Sequence, residues 1–239
     1  MIFTTLARLH RSWMSAVGVP PPQDDDVSTA PSSSAAAVAR REFILGLQPG
    51  DPEHENKCRS FVDKALSSCP KVKFMREALK ALGVRSSDAD FVTCAHCPDG
   101  AATAGGYLPE FKLVLLCQQW VAQQPSEVEN TLTHEMIHAY DDARAHMNWM
   151  DLTQHACTEI RAASLSGDCN FRRELDRGNL HPANLGGAGA RCVRRRAELS
   201  VAMHPECPDA DVAAKAVARA WETCYADKAP FDAVGTHLY

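Results

Sequence analysis

Apolar residues recur at three- and four-residue intervals along most of this chain, the spacing by which a helix buries one face. Between about residues 53 and 67, Cys58, Phe61, Val62, Ala65 and Leu66 share a side. Between about 71 and 82, Val72, Met75, Leu79 and Leu82 do the same, and Gly83 is placed to stop that second helix. The period then shortens. Phe91-Val92-Thr93 reads as a short strand, Gly100 to Gly106 as a glycine-rich connection, and Phe111 to Leu116 as the strongest strand in the chain. Helical spacing resumes after Pro125, where Ser126 and Glu129 are spaced as a capping box, and continues to about Arg144. Further helices are predicted from near Asp151 to Ser166, closed by Gly167, from about Ala188 to Met203, and from Asp209 to Asp227. No internal repeat is visible. The pattern predicts an α+β fold that is mainly helical, with a small sheet.

The first fifty residues do not follow this pattern. Pro20-Pro21-Pro22, Asp24-Asp25-Asp26 and the Ser32 to Ala37 run are too polar and biased to bury a core. A disordered polar segment over 1–50 and one ordered domain over 51–239 are therefore expected. Arg8, His10 and Arg11 precede the first acid, Asp24, which fits either a transit-like presequence or an ordinary disordered start. The net charge of −5 over 239 residues gives no reason to expect nucleic acid as a partner. No apolar run approaches the roughly 18 residues that a membrane span needs, so any membrane role is peripheral.

Ten cysteines change the picture more than the charge does. All of them follow residue 57, in the segment expected to fold, and such a number points to an oxidising compartment. Cys94 and Cys97 have the spacing of half a structural zinc site. No second close pair completes it, so disulfide chemistry is the favoured reading, with reduced core cysteines as the plain alternative.

The candidate chemistry lies in His134-Glu135-Met136-Ile137-His138. Residues four apart on a helix share a face, so both imidazoles can reach one zinc ion, while Glu135 sits beside the metal as a general base. A catalytic zinc needs a third protein ligand, and the chain must return to supply it. The next helix offers Glu159, 21 residues after His138, and His155 one turn earlier; His146 lies in the turn between. Glu159 is the favoured ligand because it completes a His-His-Glu set, and Ala162 one turn on would let the two helices approach. Asp141 and Asp142 can either orient a metal-bound histidine or pair with Arg144 or Arg161 and tie helices together. Leu113 to Leu116 is either a core strand or an edge strand that pairs with an extended substrate. The basic cluster Arg191, Arg194, Arg195 and Arg196 could meet anionic lipid or an acidic partner, although a solvated helix face is the commoner use.

Several separated segments together resemble one family. His134 to Arg144 (HEMIHAYDDAR), His155 to Cys169 (HACTEIRAASLSGDC), Cys192 to Ala197 (CVRRRA), and Cys224-Tyr225-Ala226-Asp227 with Pro230-Phe231 occur in the order found in the mitochondrial inner-membrane metalloproteases that mature and assemble the proton channel of the F-type ATP synthase, also described as Ku-binding proteins. The likeness spans roughly residues 55–235. It implies a zincin-like metallopeptidase domain with disulfide-linked flanking helices. His134, His138 and Glu159 are implied as zinc ligands and Glu135 as the catalytic glutamate. The implied setting is peripheral, on the intermembrane-space side of the inner membrane. The implied partners are the ATP synthase subunit a precursor, whose N-terminus is processed, and proton-channel assembly intermediates. Two rival readings remain: a non-enzymatic assembly chaperone with a structural or vestigial zinc site, and a secreted zinc endopeptidase, which would require a signal segment that residues 1–19 do not resemble.

Overall fold

The structure, a computed structural model, describes residues 50–86, 91–97, 103–180 and 186–233. The polar segment expected over 1–50 lies outside these residues save for Gly50. Two helices open the fold, α1 (Pro52–Ser68) and α2 (Pro70–Ala81). Each begins with proline, whose fixed φ suits the first helical position and whose missing N–H costs nothing there. Gly83, at φ +80°, ends α2 as expected. Strands β1 (Val92–Ala95), β2 (Gly105–Leu108) and β3 (Leu113–Cys117) form one sheet in the order β1-β3-β2. A four-residue helix, α3 (Gln118–Val121), leads into the long α4 (Pro125–Ala145). Then come α5 (Leu152–Leu165), the short α6 (Phe171–Asp176), α7 (Ala188–Ala202), α8 (Ala210–Ala226) and a 3₁₀ turn (Phe231–Ala233).

The sheet corrects one reading of the sequence. β3 is the central strand, parallel to β1 and antiparallel to β2, and all five of its residues are buried. Both of its edges are already paired, so it cannot add a substrate strand. The edge positions belong to β1 and β2, and β2 begins within the stretch read as a glycine-rich connection. Glycine is needed there for packing rather than for a turn: a Cβ on Gly105 would come within 2.7 Å of the Leu115 carbonyl oxygen and 2.9 Å of Thr131 Cγ2. Dropping that carbon lets β2 lie close to both β3 and α4.

The start of α4 also differs from expectation. Its N-cap is Gln124, which makes no side-chain capping bond, and Pro125 takes the first helical position. Proline pre-sets the backbone by itself, and the Ser126–Glu129 pair is not used as a capping box. Asp151, by contrast, caps α5 by accepting from the Thr153 and Gln154 amides at 2.8 and 3.1 Å.

Two hydrophobic regions flank α5. One joins α1, α2, the sheet and α4 through Val62, Val72, Met75, Leu79, Val114, Leu116, Leu132, Met136, Ile137, Ala162 and Leu165. The other joins α5, α7 and α8 through Ala156, Ile160, Ala163, Val193, Ala197, Val201, Ala213, Ala216, Val217 and Ala220. Four disulfides staple these regions: Cys58–Cys94, Cys97–Cys117, Cys157–Cys224 and Cys169–Cys192, with Cys69 and Cys207 free. Cys94 and Cys97 are thus neighbours in sequence with different partners. Their sulfurs are oxidised and unavailable to a second metal. Among the described residues no helix is long and apolar enough to cross a membrane.

Candidate metal centre

Helix α4 carries His134, Glu135 and His138, and the α4–α5 pair folds back so that Glu159 faces the two histidines. Ala162, fully buried one turn beyond Glu159, has only a methyl group to set between the helices. Nitrogen and oxygen atoms of His134, His138 and Glu159 all lie within 4.8 Å of one another. His134 Nε2 is 3.6 Å from Glu159 Oε2, and His138 Nε2 is 3.5 Å from Oε1. These separations are too long for hydrogen bonds. They match the edges of a tetrahedron around a small cation with bonds of about 2.0–2.2 Å, which are about 3.3–3.6 Å long. The residues therefore fit a divalent metal, with a fourth position left for water or substrate.

The far nitrogens of both rings are occupied, which aims the Nε2 atoms at the shared space. His134 Nδ1 lies 2.9 Å from Asp168 Oδ2. His138 Nδ1 lies 2.9 Å from Thr158 Oγ1, and that hydroxyl donates to Asp141 Oδ2 at 2.9 Å. Asp141 also accepts from Arg161 Nε at 3.0 Å and from Arg144 Nε at 3.0 Å. The two readings of Asp141, metal-site orienter and helix tie, are both realised by one carboxylate. Asp142 turns the other way, accepting from Tyr107, Lys112 and Trp149. Trp149 in turn places its ring edge-on to His138, with centroids 6.2 Å apart.

Neither rival ligand joins the set. His155 Nε2 lies 3.8 Å from Glu159 Oε1 but is not among the three residues that converge, and its ring leans on His204 with centroids 4.9 Å apart. His146 ends α4 in a left-handed conformation at φ 49° and is exposed. The arginine cluster is largely spent within the fold. Arg195 pairs with Glu174, Arg196 with Asp168, and Arg194 stacks over Trp221. Asp168 is the residue that sequence reasoning misses. It stands in the segment His155 to Cys169 that carries the family likeness, but nothing in the spacing pairs it with a histidine 34 residues away.

Burial and charge set the protonation of this cluster. Burial drives His138 down to about 3, so its imidazole is neutral and ready to bind a cation. Burial also opposes charge on His134, but the hydrogen bond to Asp168 and the Glu159 carboxylate 3.6 Å away outweigh it and raise that ring to about 10. A proton thus sits where a metal would, and metal binding must release it. Glu159 is held well below the usual carboxylate range: burial works against its charge, and the surrounding histidines overcome that. Burial pushes Glu135 up to about 7, helped by nearby Glu159 and opposed by His134 and by a hydrogen bond from the Tyr107 backbone. A carboxylate near 7 is well matched to taking and returning a proton at neutral pH.

Two histidines and a carboxylate converging on one small space, with a buried glutamate beside them, are the donor set of a candidate metal-dependent hydrolase site. Residues 56–232 match the peptidase M76 family, and the chain belongs to that metallopeptidase family. It is 40% identical over 183 residues to the mitochondrial inner membrane protease ATP23 of Saccharomyces cerevisiae, covering 74% of this chain and 78% of that protein. The protein of the same name from Yarrowia lipolytica is 38% identical over 177 residues, covering 74% of this chain and 68% of that one. The Sclerotinia sclerotiorum protein is 39% identical over 186 residues, covering 75% and 74%. No solved structure matches the fold.

Proposed function

We propose that this chain is a zinc metalloendopeptidase, peripheral to the inner mitochondrial membrane on its intermembrane-space side, that processes the N-terminus of ATP synthase subunit a and assists assembly of the proton-channel sector. The observation that carries the peptidase reading is the convergence of His134, His138 and Glu159 beside a buried Glu135. The relatives named as inner membrane proteases support the location, and the four disulfides suit an oxidising compartment.

His134, His138 and Glu159 would hold the zinc. When bound, zinc supplies Lewis acidity that polarises the scissile carbonyl and acidifies the attacking water. Glu135 accepts a proton from that water and delivers it to the leaving amine nitrogen. The Tyr107 backbone contact fixes the Glu135 carboxyl against the edge of the sheet. β2 is the strand along which an extended peptide can lie by strand addition.

The test uses purified, zinc-loaded protein and a peptide spanning the N-terminal processing region of subunit a. Wild-type protein should cleave it, and Glu135→Gln, which keeps shape but cannot take a proton, should lose about 10²–10⁴-fold in rate. Equal turnover by the two proteins sinks the mechanism. Absence of cleavage by the wild type sinks the substrate assignment. Rescue of ATP synthase assembly in cells by Glu135→Gln would separate the assembly role from cleavage.

A further inference from the structure

The two histidines of the metal centre are held in different ways, and the difference assigns a role to Asp168. His138 meets a neutral hydroxyl, Thr158, which relays to Asp141. His134 meets a carboxylate directly, at 2.9 Å. Asp168 is only 6% exposed and is held at Oδ2, at its backbone N–H and at its carbonyl. Its Oδ2 also accepts from Arg196 Nη2 at 3.1 Å, its backbone N–H donates to Ser166 Oγ at 3.2 Å, and its carbonyl accepts from Arg177 Nη1 at 2.6 Å. The residue before it, Gly167, takes φ +97°, and a Cβ there would come within 2.7 Å of Lys71 Nζ, so the turn delivering Asp168 admits little besides glycine.

These anchors form a circuit. Arg196 and Arg195 are adjacent on α7. Arg196 holds the Asp168 carboxylate, while Arg195 holds Glu174 on α6 at 3.0 Å. Glu174 accepts from Arg177 at 3.1 Å, and Arg177 returns to the Asp168 carbonyl. Two helices that contribute no metal ligand therefore converge on one residue, α7 through its carboxylate and the end of α6 through its backbone carbonyl, and that carboxylate touches His134. A carboxylate on Nδ1 takes that nitrogen's N–H, fixes the ring so that Nε2 faces the space shared with His138 and Glu159, and raises the donor strength of Nε2 toward a metal.

We propose that Asp168 is a positioning residue for His134, that Arg196 is its anchor, and that the arginine cluster of α7 serves the metal centre from behind. This rests on the reading of His134, His138 and Glu159 as a metal site, but not on the substrate or on cleavage. A merely structural Asp168 would tie α6 and α7 to the end of α5 and leave the metal indifferent to its charge.

The experiment titrates metal-free full-length protein with zinc against a competing chelator. It also records the visible spectrum of the cobalt(II)-substituted form, which reports ligand geometry, and the melting temperature of the metal-free protein. Asp168→Asn preserves size and removes the charge. It should weaken zinc binding by about 10–100-fold and shift the cobalt bands. Arg196→Met, which leaves Asp168 in place but unanchored, should give a smaller loss in the same direction. Zinc affinity and cobalt spectrum unchanged in Asp168→Asn, with only the metal-free melting temperature lowered, would overturn the proposal. If Asp168→Asn does not fold, Arg196→Met decides: a weakened zinc site with shifted bands supports the proposal, and an unaltered one overturns it. A wild-type chain that binds zinc yet cleaves no peptide defeats the proposed function while leaving this inference standing; a wild type that binds no zinc defeats both.

Discussion

The two faces of α5 bury their residues by opposite means. Toward α7 and α8 the helix presents Ala156, Ile160 and Ala163, and its neighbours answer with Val193, Ala197, Val201, Ala213, Ala216, Val217 and Ala220. Small side chains bring the three helices close, and apart from the Cys157–Cys224 disulfide the buried contact is mainly dispersion and excluded water. Toward α4 the same helix presents Thr158, Glu159 and Arg161, which meet His134, Glu135, His138 and Asp141, and most of these charges are almost wholly buried. Each survives there only because it has a partner. The first face tolerates variation in detail, since any close fit of similar volume serves. The second does not, because removing one member strands another away from water.

The sharpest way to break this contrast is Asp141→Ala. Arg161, 0% exposed, would lose the carboxylate that balances it, and about 3–5 kcal/mol of stability should go with it. A melting curve checks this. A drop under about 1 kcal/mol, the range of an exposed ion pair, would mean that the Asp227 side chain, 2.7 Å from Arg161 Nη1, suffices to hold the charge alone.

Glu159→Ala comes next, and it acts on metal rather than on folding. Removal of a direct ligand should weaken zinc binding beyond the roughly 10–100-fold typical of supporting groups. His155→Ala, one turn away on the same face, should change zinc content little. Zinc loss confined to His155→Ala would move the third ligand and undo the assignment.

On the apolar face, Ala197→Leu should cost about 1–3 kcal/mol by overpacking, with zinc content unchanged. Loss of zinc in that variant would show that the two faces are coupled through α5. The smallest effect concerns pH. Glu135 must be ionised to act as a base, and burial raises its carboxyl from 4.5 to about 7. A bound dication pulls in the opposite direction. The acid limb of the activity profile should therefore fall between these two values, with rate rising with pH and dropping about tenfold for each unit below the limb. A limb carried unchanged into Glu135→Gln would assign it to another group.

Wherever the information is local, as it is for the helices and the metal pentapeptide, spacing along the chain makes it legible. The six long helices end within a few residues of where apolar periodicity, Gly83 and Gly167 place them. His134 and His138 share a face because a helix repeats every 3.6 residues, whatever else the chain does. Glu159 is legible less directly, through a family pattern and its place on the next helix. The strand β2 is hidden because glycines that normally mark a loop serve a close approach of β2 to β3 and α4. The small helices α3 and α6 are too short for any period to show. The cysteine count signals oxidation, but ten cysteines allow about 945 complete pairings, and packing realises none of these, joining four pairs and leaving Cys69 and Cys207 free.

Local sequence was enough to place two histidines and a glutamate within one turn and a half of a helix, to make most of the chain helical, and to favour disulfides over free thiols. What stands behind those histidines was settled only by packing. Asp168 meets His134 across 34 residues, Thr158 meets His138 across 20, and Arg196 meets Asp168 across 28. Such contacts leave no trace in spacing, because they depend on the angles at which α5, α6 and α7 pack and on a left-handed glycine that turns one carboxylate inward.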